Sequence, residues 1–388
     1  MTRLARRTQD IQPFHVMDLL AKARALEAAG HDIVHLEIGE PDFAAPVPVI
    51  DAARSSLSAG QTRYTPALGL GELREAIAGW YATRYGLSVD PERVVVTPGS
   101  SGALQLATLC LVNPGDEVLL ADPGYPCNRH FVRAAEGVSR SLPVDAGQDF
   151  QLSAESIATH WGPRTVAALV ASPSNPTGTR LDEAALRDIV QAVESRQGSL
   201  IADEIYHGLE YGERAISAAA VSKNAFVINS FSKYFGMTGF RVGWLLAPPD
   251  AVREAEKLAQ NLFLAAPTTG QYAALAAFLP QTLEILEERR EIFRQRRDFL
   301  LPALRDLGFE VPKDPEGAFY IYAGCGGFSD DSYAFSNRVL AECGVAITPG
   351  IDFGEYLASS HVRFAYTTSM DKLEQGVERL SSYLRGSS

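Results

Sequence analysis

Five short apolar runs separated by helical patterns constrain the fold of this chain more than any other feature. They are RVVVTPG (93–99), EVLLADPGY (117–125), TVAALVASP (165–173), SLIADEIY (199–206) and AFVINSF (225–231). Helical spacing fills two of the gaps, at 101–112 and 181–196. Strands that are apolar on both faces, with helices between them, predict a mostly parallel sheet covered on both sides, an α/β architecture. Upstream, residues 17–29 carry helical spacing, 33–38 (IVHLEI) predict a strand entering the turn GEPDF, and 71–86 predict a helix with a glycine stop. Downstream, 281–308 predict one long helix with Leu283, Leu286, Phe293, Leu300 and Leu304 as its buried stripe and a kink at Pro302. Strand and helix signals follow at 318–323, 331–343, 345–350 and 362–366, with a last helix from about Asp371. The expected organisation is a large α/β domain over 46–284 and a smaller α/β domain built from the N-terminal segment 1–45 and the C-terminal segment 285–388.

A formal net charge of −12 disfavours nucleic acid or an anionic membrane as a partner. The arginines of 281–308 are interleaved with Glu284, Glu287, Glu288 and Glu291, the pattern of a solvated, ion-paired helix face. The longest apolar stretch, 103–112, is too short to span a bilayer, and no apolar segment of signal-peptide length follows the basic N-terminus. Cys110, Cys127, Cys325 and Cys343 are far apart and lack metal-ligand spacing, so no metal is expected. Reduced, mostly buried thiols fit a cytoplasmic protein.

In an open α/β sheet, ligands sit beyond the carboxyl ends of the strands. The first run delivers Gly99, Ser100, Ser101 and Gly102 to a helix start, where free N–H groups favour a phosphate, although small residues also make ordinary caps. The second delivers Tyr125, either a stacking aromatic or a core tyrosine. The third delivers Asn175 in SNPTG, a composition that a plain turn also explains. The fourth delivers Asp203 and Tyr206, and a carboxylate leaving an apolar strand is costly unless it meets a cation. The fifth leads into SFSKYFGMTGFR (230–241), with Lys233 between Ser230 and Arg241. A desolvated lysine beside other cations becomes a nucleophile towards carbonyls, and an arginine fork suits phosphate oxygens.

A phosphate cradle, a stacking aromatic, a carboxylate, a phenol, an amide and a Schiff-base lysine together describe a site for pyridoxal phosphate. With SFSK and its downstream arginine joined to NPTG and DEIY in order, the chain resembles the class I/II pyridoxal-phosphate-dependent aminotransferases of fold type I, the aspartate aminotransferase superfamily, from about GEPDF to VRFAY. The resemblance implies that Lys233 forms the imine to the cofactor and shuttles the proton of the reaction. It implies that Asp203 pairs with the ring nitrogen, that Asn175 and Tyr206 bond the ring's phenolic oxygen, and that Ser230, Arg241, Ser100 and Ser101 hold the phosphate. Tyr64 matches the tyrosine that reaches the neighbouring subunit's phosphate, so a homodimer is implied. Arg363 in HVRFAY matches the arginine that grips the substrate α-carboxylate, with Gly39 close by; His207 is read as structural.

Some bacterial aspartate aminotransferases of this subgroup carry a lysine for the distal carboxylate where Ser101 stands here. With Phe14 and His15 in the N-terminal arm, its absence points to a neutral L-amino acid donor (alanine, branched-chain or aromatic) and a 2-oxo acid acceptor, in ping-pong half-reactions. The alternatives are aspartate as donor, or a β-elimination lyase or aminocyclopropane-carboxylate-synthase-like enzyme on the same fold. A cofactor-sensing DNA-binding regulator is disfavoured, since GEPDF and Tyr64 lie too near the N-terminus for a preceding DNA-binding domain.

Overall fold

The structure, a computed structural model, describes residues 2–386. In chain order its strands are β1 (Val34–His35), β2 (Val94–Thr97), β3 (Glu117–Asp122), β4 (Val138–Pro143), β5 (Thr165–Ala171), β6 (Ser199–Asp203), β7 (Phe226–Ser230), β8 (Gly243–Leu246), β9 (Tyr320–Gly324), β10 (Val345–Ala346), β11 (Thr348–Pro349) and β12 (His361–Ala365). Seven of them form one sheet in the order β2-β8-β7-β6-β5-β3-β4. It is mostly parallel, as the apolar runs predict; β8 alone runs antiparallel to both its neighbours.

Side chains alternate across this sheet and feed two cores. Val94, Val96, Leu119, Val170, Leu200, Val227 and Trp244 pack on one face with Ile77 and Tyr81 of the helix Gly71–Tyr85 and Ile189 and Val193 of the helix Glu183–Glu194. Val95, Val118, Leu169, Ile201, Ile228 and Leu245 pack on the other, with Leu104 and Ala107 of the helix Gly99–Leu111 and Ala259 of Val252–Leu262. Each fully buried aliphatic side chain contributes about 1.5–3 kcal/mol relative to exposure, which is why neither face can be left bare. The helix Gly71–Tyr85 stops where expected, at Gly86 with φ +67°, a left-handed position that glycine takes without strain.

A second, smaller α/β body joins the two ends of the chain. β1 pairs in parallel with β10, and β11-β12-β9 make an antiparallel sheet. The expected strand 33–38 is cut to two residues because the carbonyls of Glu37, Ile38 and Gly39 bond side chains instead. The expected strand 345–350 divides into β10 and β11, which pair with different partners. The long helix Pro280–Asp306 buries Leu286, Phe293, Leu300 and Leu304, leaves Leu283 half-buried, and runs on past Pro302. Its charged face carries the pairs Arg290–Glu287, Arg294–Glu291 and Arg294–Asp298. Arg296, on the same helix, grips Asp42 of GEPDF through two 2.8 Å bonds. Among the described residues no helix is long and apolar enough to cross a membrane. The thiols are free, with Cys325 buried and the other three half-buried.

Beneath the sheet, Arg84 and Glu210 form an ion pair at 2.6 Å with only 8% and 2% of their side chains exposed. Glu210 also accepts from the Gly208 N–H. Removing one partner of such a pair strands the other charge and costs ~3–5 kcal/mol. Glu210→Ala is therefore expected to lower unfolding free energy by about that amount in urea denaturation, and a change below 1 kcal/mol would refute the pair's structural role.

Candidate active site

The carboxyl edge of the seven-stranded sheet gathers most of the residues singled out in the sequence. One cavity there is lined by Ser100 after β2, Tyr125 after β3, Asn175 after β5, Asp203 and Tyr206 at the end of β6, and Lys233 after β7. The small body closes it with Gly39, Tyr320, Thr348, Asp352, Phe353 and Arg363, and the N-terminal segment with Phe14, Val16, Met17 and Leu20. Because β8 is antiparallel, its amino end lies at this same edge, and that brings in Arg241 just before it.

Lys233 stands on a stiff loop. Phe231 packs against Phe235 and Trp244 with ring centroids 4.9 and 5.1 Å apart, and the Met237 N–H closes the turn on the Phe231 carbonyl at 2.9 Å. Lys233 Nζ donates to the Gly39 carbonyl at 2.6 Å. Burial, then the charge of Arg363, pulls its pKa down to about 8, while Glu40 and Asp203 oppose the shift. An amine so shifted gives up its proton far more readily near physiological pH than a solvated lysine does.

Asp203 is buried, and its carboxylate accepts one backbone bond, from the Ile205 N–H at 3.2 Å. Burial pushes its pKa up to about 6, against the pull of that N–H and of Lys233. Tyr206 Oη meets Tyr320 Oη at 2.9 Å, and burial raises its pKa well above the usual phenol value. A Cβ at position 39 would collide with the Tyr320 hydroxyl, so Gly39 is required for the chain to pass at this distance.

Arg363 is held from three sides. It donates to Asn175 Oδ1 at 2.9 Å, to the Glu37 carbonyl at 2.7 Å and to Thr348 Oγ1 at 3.2 Å, and its plane lies over Tyr320 with 4.2 Å from Cζ to ring centroid. Among the described residues its Nε has no partner. The guanidinium is thus fixed in orientation, with donor capacity to spare.

Four expected residues lie outside that lining. The Ser230 hydroxyl sits within hydrogen-bond reach of Ser232 Oγ at 2.9 Å and the Val242 carbonyl at 3.1 Å. Ser101 is exposed on the first turn of its helix. Arg241 has φ +54° and donates to the Thr238 carbonyl at 3.0 Å, and its guanidinium lies so close to Gly99 that a Cβ there would fall 2.6 Å from Nη2. Tyr64 is 82% exposed, which removes the core-tyrosine reading. His207 is buried, bonded to Tyr85 Oη at 2.7 Å and turned away from the cavity, and burial lowers its pKa to about 3. Tyr320, Thr348, Asp352 and Phe353 were not singled out in the sequence, and only the strand signals around them hinted at their placement.

Similarity to known proteins extends along nearly the whole chain. Residues 31–380 match the family model described as aminotransferase class I and II. The chain is 39% identical over 376 residues to a valine–pyruvate aminotransferase of Mycobacterium tuberculosis, covering 96% of this chain and 97% of that one. It is 35% identical over 387 residues to an aspartate/prephenate aminotransferase of Thermus thermophilus, covering 99% of each. Among solved structures, an aminotransferase from Mycobacterium tuberculosis superposes with a TM-score of 0.96 at 38% identity over 100% of both chains. The Thermus thermophilus aspartate aminotransferase with maleate superposes at 0.93 and 35% identity, over 98% of this chain and 100% of that one. The chain belongs to the class I and II aminotransferases and is a transaminase.

Proposed function

We propose that this enzyme moves the amino group of a neutral L-amino acid to a 2-oxo acid such as pyruvate or 2-oxoglutarate, with pyridoxal phosphate as cofactor and in a ping-pong sequence. The observation that carries the substrate class is the composition of the cavity. Among the described residues its lining holds two cations, Lys233 and Arg363, and beside the polar groups Glu37, Asn175, Asp203, Thr348 and Asp352 it presents the apolar Phe14, Val16, Met17, Leu20 and Phe353. Arg363 accounts for the α-carboxylate common to all amino acids, and among the described residues the lining offers no third cation for a distal one.

The residues fit the cofactor. Asp203 is a buried carboxylate with a single backbone donor, the partner a protonated ring nitrogen needs. Gly99 leaves beside the Arg241 guanidinium a space that a side chain would fill, at the amino end of a thirteen-residue helix whose free N–H groups attract phosphate. Ser100, Ser101, Ser230 and Arg241 are assigned to the phosphate, Asn175 and Tyr206 to the phenolic oxygen, and Tyr125 to the ring face. Bound there, the cofactor supplies an electron sink for the carbanion formed at the substrate Cα.

The chain's own residues do the rest. Arg363, immobilised by Asn175, Glu37 and Thr348, binds the α-carboxylate and so orients the amino acid. Lys233, once its Nζ is free, takes the Cα proton as a neutral amine and returns it, a role its lowered pKa suits. Tyr206, kept protonated by burial and by Tyr320, donates rather than accepts where it meets an oxyanion. Phe14, Val16, Met17 and Leu20 give the cavity apolar surface.

The exposed Tyr64 is assigned to the phosphate site of a second copy, which makes the working unit a homodimer. Four free thiols fit the cytoplasm.

Lys233→Ala should reduce turnover by at least ~10^3-fold with unchanged thermal unfolding; substantial residual transamination would exclude Lys233 as the proton carrier. Arg363→Ala removes a charge-assisted contact of about 1.5–3 kcal/mol, so KM should rise roughly 10- to 100-fold for alanine, valine and phenylalanine alike. A rise confined to one of them would make Arg363 a side-chain selector. Because only the neutral amine attacks a carbonyl, the initial rate of pyridoxal phosphate capture by the apoprotein should climb with pH through a midpoint of about 8. Removing the Arg363 charge should move that midpoint upward, and a flat profile between pH 6 and 9 would contradict the depressed pKa.

A further inference from the structure

The helix His15–Ala28 opens on the cavity, and its start is capped from far along the chain. A helix leaves its first N–H groups without internal partners, and Phe14, at the N-cap position, has no side-chain acceptor to offer. Asp352 supplies both oxygens instead: Oδ1 accepts from the His15 N–H and Oδ2 from the Val16 N–H, each at 2.8 Å. Elsewhere on the helix, His15 lies edge-on to Tyr333 at 5.2 Å, Lys22 bonds Asn337 at 2.6 Å and lies over the Tyr333 ring, Glu27 meets His35 Nε2 at 3.1 Å, and Leu19 and Ala23 are buried with Ile33, Leu340 and Ala346. Phe14, Val16, Met17 and Leu20, which line the cavity, thus lie on or beside a first turn capped by a carboxylate 336 residues downstream of Val16.

Asp352 belongs to the same short segment that serves Arg363. Thr348 Oγ1 accepts from that arginine, and Phe353 lies 4.9 Å from Cζ to ring centroid. The Asp352 carbonyl is fixed in turn by Arg129 Nη2 at 3.0 Å. The carboxylate is 2% exposed and lines the cavity. With the α-carboxylate on Arg363 and the α-amino group towards Lys233, the substrate side chain is left with the wall that Asp352 holds.

We propose that Asp352 is a positioning residue that sets donor specificity: it seats the apolar wall against the substrate side chain and places a negative charge beside it, favouring apolar over acidic donors. The inference rests on the transaminase reading and deepens it. A like charge beside a carboxylate donor disfavours it, while one methylene of fit in an apolar pocket is worth about 10- to 200-fold.

The test compares wild type, Asp352→Asn and Asp352→Ala as holoenzymes with alanine, valine, phenylalanine and aspartate as donors, and reads kcat and KM separately. It adds amide hydrogen exchange of a peptide covering residues 14–20 in the apoproteins. Asp352→Asn removes the charge and one acceptor, and should lower the phenylalanine-to-aspartate ratio of kcat/KM roughly tenfold. Asp352→Ala should raise KM for valine and phenylalanine more than for alanine, by about tenfold, and both variants should exchange faster at 14–20. Unchanged donor ratios with faster exchange would reduce Asp352 to a helix cap and overturn the proposal, as would unchanged exchange. A wild-type enzyme that transfers no amino group from any of these donors would instead sink the transaminase substrate reading on which the test rests.

Discussion

Two cations in one poorly hydrated cavity need oxygen, and the extended segment Glu37-Ile38-Gly39 provides it. The Glu37 carbonyl takes Arg363 and the hydroxyl of Thr348, the Ile38 carbonyl takes Thr367, and the Gly39 carbonyl takes Lys233. Three consecutive carbonyls thus leave the sheet ladder to hold the side chains of the site. Neutral backbone oxygens suit this role. They orient a guanidinium and an ammonium without cancelling their charge, so the arginine remains able to draw in a carboxylate and the lysine to surrender a proton.

That arrangement explains the local requirements around it. The segment must pass against Tyr320, which only a glycine at 39 permits, and Tyr320 in turn bonds Tyr206 and underlies Arg363. Downstream, Asp42 of the same loop is clamped by Arg296 on the long helix, so the loop is anchored at both ends. The large sheet supplies Lys233, Asp203 and Asn175 and the small body supplies Arg363 and Tyr320; the two sets meet through the 37–39 segment and through the Arg363–Asn175 and Tyr320–Tyr206 bonds.

The sequence made the five buried strands legible because each is apolar on both faces, and made most of the site legible because each strand ends in a chemically distinct residue. It did not reveal β4, an edge strand with exposed Val138, Ser139 half-buried and Arg140 exposed, whose pattern has no apolar run. Nor did it reveal β8, four residues long and antiparallel, although β8 is the reason Arg241 reaches the carboxyl edge. The helix Val47–Ser58 escaped notice behind prolines at 46 and 48. Tyr320 reads only as a strand residue, since its bond to Tyr206 joins positions 114 apart. Asp352 sits in a turn between β11 and β12, and nothing in the chain's local pattern links it to the amides of His15 and Val16.

The parallel pairing of β1 with β10 matches Val34 to Val345 and His35 to Ala346. During synthesis, residues 34–39 therefore leave the ribosome some three hundred residues before the strand that fixes them. The large sheet can assemble while they wait, since its strands are complete by Leu246. Competence to bind an amino acid is a property of the finished chain, since a nascent chain interrupted before β10 carries the lysine but lacks both Arg363 and the strand that pairs with Val34 and His35.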